Sequence, residues 1–388
     1  MKEQWNSKKI EELIDDKLIG IVRNNKEQGN NYQYNYFKMN NIQNDNGLSK
    51  EIYTKINATQ EEIDKYSLCD GDFLFNTRNS YELVGKVCCY VSTNSEPTLF
   101  NNNIMRLRFK KNILPKFIYY QFCTKKIKFE LDKIKSGTTS VVGIYYKQLK
   151  NIIFYIPSLS KQHQIVAILD KAFEAIEKAE ANIKKNIENA EELFQSKLHE
   201  VFSDDKNMIE KKLTDLCEQI FAGGDVPKES FRKEKNSFYN IPIYANGIKN
   251  KGLYGFTNIK RVEKNSLTIS ARGTIGHIEI RKEAYYPVVR LINLIPNNDI
   301  KSIEYFYYLL RKEKFDNTGT SIPQLTVPML KNKILYIHFE YQQEEIVKIL
   351  DQLKEQTDQL ISHYKTKLDD LEELKKSILE KAFNGELI

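Results

Sequence analysis

Two stretches of the chain carry an unbroken helical pattern. From Ile165 onward, apolar side chains return every three or four positions: Ile165, Ala172, Ala179, Asn186 and Leu193 form one row, with Leu169, Ile176, Ile183 and Ala190 beside it. From Ile346 the same spacing places Ile346, Leu353, Leu360, Lys367 and Leu374 in one row and Leu350, Thr357, Tyr364, Leu371 and Ile378 in the other. Neither stretch contains Pro or Gly, and Glu, Lys and Ala fill the other faces, so the spacing predicts two helices of about 35–40 residues, each roughly 50–60 Å long. A helix of that length with a narrow apolar seam needs a partner, and the nearest is the other helix. The expected interface joins Ile165, Leu169, Ile176, Ile183 and Leu193 to Ile346, Leu350, Leu353, Leu360, Leu371 and Leu374. Asn186 and Lys367 are polar seam positions, each followed by an apolar residue (Ile187, Leu368). They either fix the register or are tolerated near a bend. The simpler alternative packs each helix on its own domain.

The two stretches are also copies of one another. Residues 165–202 align without a gap to 346–383 at an offset of 181. Ile165, Val166, Ile168, Leu169 and Asp170 match Ile346, Val347, Ile349, Leu350 and Asp351; Glu191-Glu192-Leu193, Ser196 and Phe202 match Glu372-Glu373-Leu374, Ser377 and Phe383. Upstream, Leu149-Lys150-Asn151 and Thr139-Ser140 match Leu330-Lys331-Asn332 and Thr320-Ser321. A duplicated unit that ends in a long helix accounts for this agreement. Before each helix lies a mixed region. Short β-branched and aromatic runs at 73–75, 84–91 and 104–109, and again at 266–270, 275–280 and 287–292, predict strands. Amphipathic stretches at 115–130 and 301–315 predict helices, and Gly-Thr loops follow at 136–140 and 318–321. The expected fold class is α+β: two similar mixed α/β domains (1–160 and 204–338), separated by a central long helix (161–203) and a C-terminal long helix (339–388).

Composition bounds the chemistry. The 388 residues include 44 Phe, Tyr and Trp, enough for real cores. No run of eighteen apolar residues occurs, so no membrane-spanning helix is expected. Five cysteines without a C-x-x-C spacing, and no apolar leader after Met1, point to a reducing, cytoplasmic setting. The net charge of +7 is less informative than its distribution. Segment 161–200 carries a net −2 and segment 339–383 a net −4, leaving +13 on the rest of the chain. Positive charge belongs to the globules, as expected if they contact a polyanion, although solvated lysines decorate many surfaces.

Local sequence nominates readers for that polyanion. F-N-T-R-N-S at 75–80 places Asn76, Arg78 and Asn79 in a loop after a strand, and I-S-A-R-G-T at 269–274 places Arg272 and Thr274 similarly. The 243–252 loop offers Tyr244, Asn246, Lys249 and Lys251. Arginine matches guanine O6 and N7 or a phosphate, and asparagine matches adenine N6 and N7. Taken singly, the 243–252 loop also reads as a surface turn shaped by Asn-Gly. Enzymatic motifs are missing: no G-x-x-x-x-G-K-[ST], no H-E-x-x-H, no G-x-S-x-G, and the five histidines (His163, His199, His277, His338, His363) are scattered. No metal site is expected. The residues describe a binding protein rather than an enzyme.

In this arrangement the chain resembles the specificity subunit of Type I restriction-modification systems. The opening element Lys9-Ile10-Glu11-Glu12-Leu13 to Gly20 returns as Lys212-Leu213-Thr214-Asp215-Leu216 to Gly223-Gly224, completed to G-G-x-x-P by Asp225, Val226 and Pro227. An Ile-Pro pair (Ile156-Pro157) precedes Gln162 and Ile165; in the second copy Gln343 and Ile346 persist while Ile337-His338 replaces Ile-Pro. The first copy lacks the G-G-x-x-P element. The resemblance implies two target recognition domains held apart by an antiparallel coiled coil, each reading half of a split, asymmetric site in double-stranded DNA. It implies no cofactor on this chain. Two modification (methyltransferase) subunits would use S-adenosylmethionine to methylate adenine, and restriction subunits would use ATP and Mg to translocate and cut. The rival readings are a coiled-coil scaffold with two protein-binding modules, which leaves the basic globules unexplained, and an adenine methyltransferase, which would need an N-P-P-Y or D-P-P-Y motif that the chain lacks.

Overall fold

A computed structural model describes residues 5–44, 46–49, 53–92, 96–138, 141–203, 208–313, 315 and 324–387. Thr139, Ser140 and the whole 318–321 loop lie outside the described residues. The chain forms two compact units: Met1–Asn182 with Lys367–Ile388, and Ile183–Thr366. Among the described residues, no helix is long and apolar enough to cross a membrane.

The first unit is organised around an antiparallel sheet with strand order Ile14–Ile19, Ile104–Phe109, Phe73–Asn76, Val87–Cys89. Phe73–Asn76 is buried along its whole length. Because alternate side chains of a strand point to opposite faces, Phe73 and Phe75 join a core with Phe117, Phe122 and Phe154, while Leu74 joins a second with Phe37, Ile42 and Phe100. Each fully buried Phe or Leu contributes about 1.5–3 kcal/mol. A three-stranded sheet, Thr54–Ile56, Tyr34–Phe37, Thr98–Phe100, has one antiparallel and one parallel pairing. Asn6–Lys9 pairs with Ile153–Ile156. The helix expected over 115–130 is two helices, Pro115–Cys123 and Lys125–Lys133. Thr124 separates them: its extended backbone ends the first, and its hydroxyl accepts from Ile127 N–H to cap the second.

The second unit repeats this topology. Its four-stranded antiparallel sheet runs Cys217–Ala222, Ile292–Pro296, Ser266–Ile269, Ile278–Arg281. Its three-stranded sheet runs Leu253–Thr257, Ile241–Tyr244, Tyr286–Pro287, again with one antiparallel and one parallel pairing. Met208–Lys212 pairs with Ile334–His338. The duplication read from sequence is thus a duplication of strand order and pairing sense. The run 287–292 is not one strand. The chain leaves Tyr286–Pro287, makes a tight turn in which Val289 and Arg290 have φ of 53° and 60°, and enters a new strand at Ile292.

The long helices are Leu159–Val201 (43 residues) and Glu340–Phe383 (44 residues). The first half of the central helix and the last half of the C-terminal helix belong to the first unit, the remaining halves to the second, so the two run antiparallel. In the first unit Ile165, Val166 and Leu169 share a core with Leu379 and Ala382, and Glu180 pairs with Lys375 at 2.7 Å. In the second, Phe194, Leu198 and Phe202 share a core with Leu350. The heptad frame needs one correction. Leu193, Leu360 and Leu374 are 66%, 43% and 45% exposed, and Phe194, Ile361 and Lys375 turn inward instead. An α-helix drifts about 20° per heptad from a strict 3.5-residue repeat, and one added residue per helix restores the seam. Asn186 and Lys367 therefore face outward, and Ile187 and Leu368 take the inward places.

Each domain is joined to its helix by the same buried side chain. Gln162 is fully buried: its Oε1 accepts from Leu114 N–H (2.8 Å), and its Nε2 donates to the carbonyls of Asn112 and Pro157 (both 3.1 Å). Gln343 does the same with Lys301 N–H (3.0 Å) and the carbonyls of Asp299 (3.0 Å) and His338 (3.1 Å). The staple uses the backbone carbonyl of residue 157 or 338, which Pro and His both supply, so the replacement of Ile-Pro by Ile-His leaves it intact. About two turns further on, Asp170 accepts from Tyr120 Oη (2.5 Å) and Asp351 from Tyr308 Oη (2.6 Å). Burial, and then the carboxylate accepting each proton, push both tyrosines well above the usual phenol range. Gln162→Ala and Gln343→Ala should each cost about 1–3 kcal/mol by stranding buried backbone groups. Urea unfolding followed by circular dichroism measures this, with the exposed Gln164→Ala as a neutral control.

Candidate nucleic-acid interface

In the second unit three loops meet at one asparagine. The Asn246 Oδ1 accepts from Ala271 N–H (2.8 Å) and its Nδ2 donates to the Val289 carbonyl (2.7 Å). Gly247 N–H adds a bond to Ser270 Oγ (3.3 Å). Asn246, nominated as a reader, is therefore a brace: both ends of its amide are used to hold the neighbouring loops.

The basic turn beside it is held from beneath. Asn250 and Lys251 have φ of 49° and 53°, and Gly252 follows at 77°, where an added Cβ would lie 2.5 Å from the Ala245 carbonyl oxygen. Buried Arg281 donates its Nη2 to the Lys251 carbonyl (2.7 Å) and its Nε to Thr268 Oγ1 (3.1 Å), and lies 3.5 Å from the Tyr244 ring centroid. Its guanidinium pKa is depressed by burial. Tyr244 donates to Glu283 (2.7 Å), and its pKa is pushed up to about 12, first by burial and then by that acceptor. Tyr244 is thus a buried support, whereas Lys249 and Lys251 present exposed ammonium groups.

Arg272 is exposed, with Nε and Nη2 both donating to Gln324 Oε1 (2.9 and 2.6 Å). The Thr274 hydroxyl is buried without a hydrogen-bond partner among the described residues, so it is not offered to solvent. The residues that sequence reasoning missed are Val289 and Arg290, hidden inside what read as a strand. Both are exposed and left-handed. A β-branched residue with positive φ is an outlier, and each such residue costs on the order of 1–3 kcal/mol. The surroundings impose the turn: Val289 N–H donates to the Gly224 carbonyl (2.9 Å), Arg290 N–H to Gly223 (3.1 Å), and Gly223 N–H to Leu291 (2.8 Å). This explains the first glycine of the G-G-x-x-P element. A Cβ on Gly223 would sit 2.7–2.8 Å from the backbone of Pro287 and Val288.

The first unit has the same framework with different chemistry. Gly20, where a Cβ would fall 2.2 Å from the Phe100 carbonyl oxygen, faces the turn Asn101–Asn103 between the corresponding strands. Arg78 is exposed, but not in a loop: Arg78–Asn79 is a short strand paired to Val142–Gly143, with the guanidinium 5.9 Å from the Tyr145 ring centroid. Asn76 is fully buried, donating to the carbonyls of Arg78 and Asn103 (both 3.0 Å) and accepting from Asn79 Nδ2 (2.9 Å). Both asparagines shape the loop edge, and Arg78 is the group of the three that faces solvent.

Gly223→Ala should distort the Val289–Arg290 turn and lower stability by about 1–3 kcal/mol, the range of a backbone incompatibility. Gly224→Ala, whose nearest obstacle is the Arg261 side chain at 3.2 Å, should cost less. Thermal unfolding of the two variants checks the order.

The comparisons with known proteins agree with this architecture. The family described as Type I restriction modification DNA specificity domain matches residues 2–189 and 205–370, once for each half. A protein named as a type I specificity subunit in Mycoplasma pneumoniae is 32% identical, over 73% of this chain and 85% of its own. The protein named as the MjaX restriction enzyme specificity subunit in Methanocaldococcus jannaschii is 25% identical, covering 99% of this chain and 94% of its own. Among solved structures, a chain from a study of complex assembly and conformational transition in the type I R-M system superposes with a TM-score of 0.79 at 19% identity, covering 99% of this chain and 98% of that one. Two matched halves, one repeated topology and a relative above 30% identity place this chain in the Type I restriction-modification specificity-subunit family.

Proposed function

We propose that the chain binds double-stranded DNA at two separated half-sites, one per recognition domain, and that the helix pair sets the unread gap between them. The family assignment makes the chain a DNA sequence-specificity subunit with no catalysis of its own. The observation that carries the bipartite reading is the repeated strand order with unlike turns at the same position: Asn101–Asn103 in one domain and Val288–Leu291 in the other. A common scaffold with different side chains at its tip is what two half-sites of different sequence require. In the first domain Arg78 contacts DNA; in the second, Arg272, Lys249 and Lys251 do so, while Asn76, Asn79, Asn246, Tyr244 and Thr274 support them.

Two modification subunits bind this chain and methylate adenine with S-adenosylmethionine, and restriction subunits supply cleavage with ATP and Mg. Flipping an adenine into a partner's pocket costs a few kcal/mol of unstacking, which contacts from the recognition domains offset. The helices, at 43 and 44 residues, are about 65 Å long, enough to reach across a turn of duplex (≈ 34–36 Å). A scaffold with two protein-binding modules would share the duplication but not the braced basic turns.

Methylation-sensitive sequencing of the host genome tests the first part. A split motif with one methylated adenine per strand should be present, and should vanish when this gene is deleted. The helices make a separate prediction. Removing seven residues from each, within 165–200 and 346–381, should change the number of unread base pairs in that motif; an unchanged gap would exclude the spacing role.

A further inference from the structure

We infer that the turn Val289–Arg290 is the base-reading tip of the second domain, with Arg290 taking the O6 and N7 edge of a guanine and Val289 the methyl group of a neighbouring thymine. This deepens the DNA-reading role proposed above and rests on it.

The first support is conformational. Val289 and Arg290 both hold left-handed backbone (φ 53° and 60°), a state in which glycine would be unstrained. It persists because the Gly224 and Gly223 carbonyls accept the two N–H groups and Asn246 donates to the Val289 carbonyl. Side chains are kept where they are conformationally costly, and both project into solvent, Val289 being 47% exposed. Folding does not use them.

The second support is a comparison of the six arginines of this unit. Arg281 is buried under the 249–252 turn. Arg272 is held on Gln324, Arg232 on the Phe231 carbonyl and the Tyr239 ring, Arg261 against Phe221 and Tyr286, and Arg311 on Tyr307 and Phe194. The guanidinium of Arg290 alone has no hydrogen bond, ion pair or ring contact among the described residues, so its five donors are available.

The third support is chemical. A phosphate contact needs positive charge within reach, which Lys249 and Lys251 provide on flexible stems. A guanine edge is matched best by a planar pair of donors on a fixed backbone, and a neighbouring thymine methyl by an apolar group. The turn supplies both on adjacent residues.

The test compares wild type, Arg290→Ala, Arg290→Lys and Val289→Gly in a host lacking the native gene, with genome-wide methylation mapping. Arg290→Ala should make one G·C position of one half-site degenerate, leaving the other half-site unchanged, and Arg290→Lys, whose ammonium still reaches guanine O6 and N7, should retain part of that selectivity. With the reconstituted methyltransferase complex, discrimination at that position should fall about 10–100-fold. Val289→Gly should keep the guanine and relax the adjacent thymine. An unchanged motif in Arg290→Ala overturns the inference. If a variant methylates too weakly to map, competition binding decides: loss confined to the matched duplex supports base reading, and equal loss on matched and substituted duplexes overturns it. Failure of the underlying reading looks different, because deletion of the wild-type gene would then leave the methylation pattern unaltered.

Discussion

A primary amide removed from water must satisfy its oxygen and its nitrogen together, and this chain uses that requirement twice. Gln162 and Gln343 each tie one backbone N–H and two backbone carbonyls at the point where a domain hands the chain to its long helix. The three groups come from two separate segments, so the amide fixes how the helix leaves the sheet. Everything distal to it, including the helix seam, inherits that direction. A lysine or glutamate could not replace it, since neither donates and accepts at once when charged.

The helices show how little a narrow seam demands. Their faces are largely polar, and the inward positions are only partly apolar, with Glu180 and Lys375 meeting at 2.7 Å in the first unit. Strict heptads would have forced supercoiling. The single-residue slip after Ile183, and again after Thr357, keeps each helix near its natural 3.6-residue period instead.

The recognition domains divide labour between fixed and free polar groups. Buried Arg281 and Asn76 and half-buried Asn246 spend hydrogen bonds on the backbone of the loops. Gly20, Gly223 and Gly252 allow two backbones closer than any Cβ permits. If the exposed Arg78, Lys249, Lys251 and Arg290 meet DNA as proposed, their backbones need little further ordering on binding.

By itself the sequence determined the duplication, the two long helices, the α+β class and the concentration of positive charge on the globules. All four follow from periodicity and residue identity, which are local properties. It also carried the glycines and glutamines that mattered, but not what they touch. Tertiary structure alone decided that the side chains of Asn76, Tyr244 and Asn246 are bonded within their own domain, because such partners depend on which distant segments meet a residue. It moved the seam from Leu193 to Phe194, because a one-residue phase error accumulates invisibly in a pattern read from its start. And it exposed Val289 and Arg290: in sequence they continue an apolar run, yet Gly223 and Gly224, more than sixty residues away, bend that run into a turn by accepting its N–H groups.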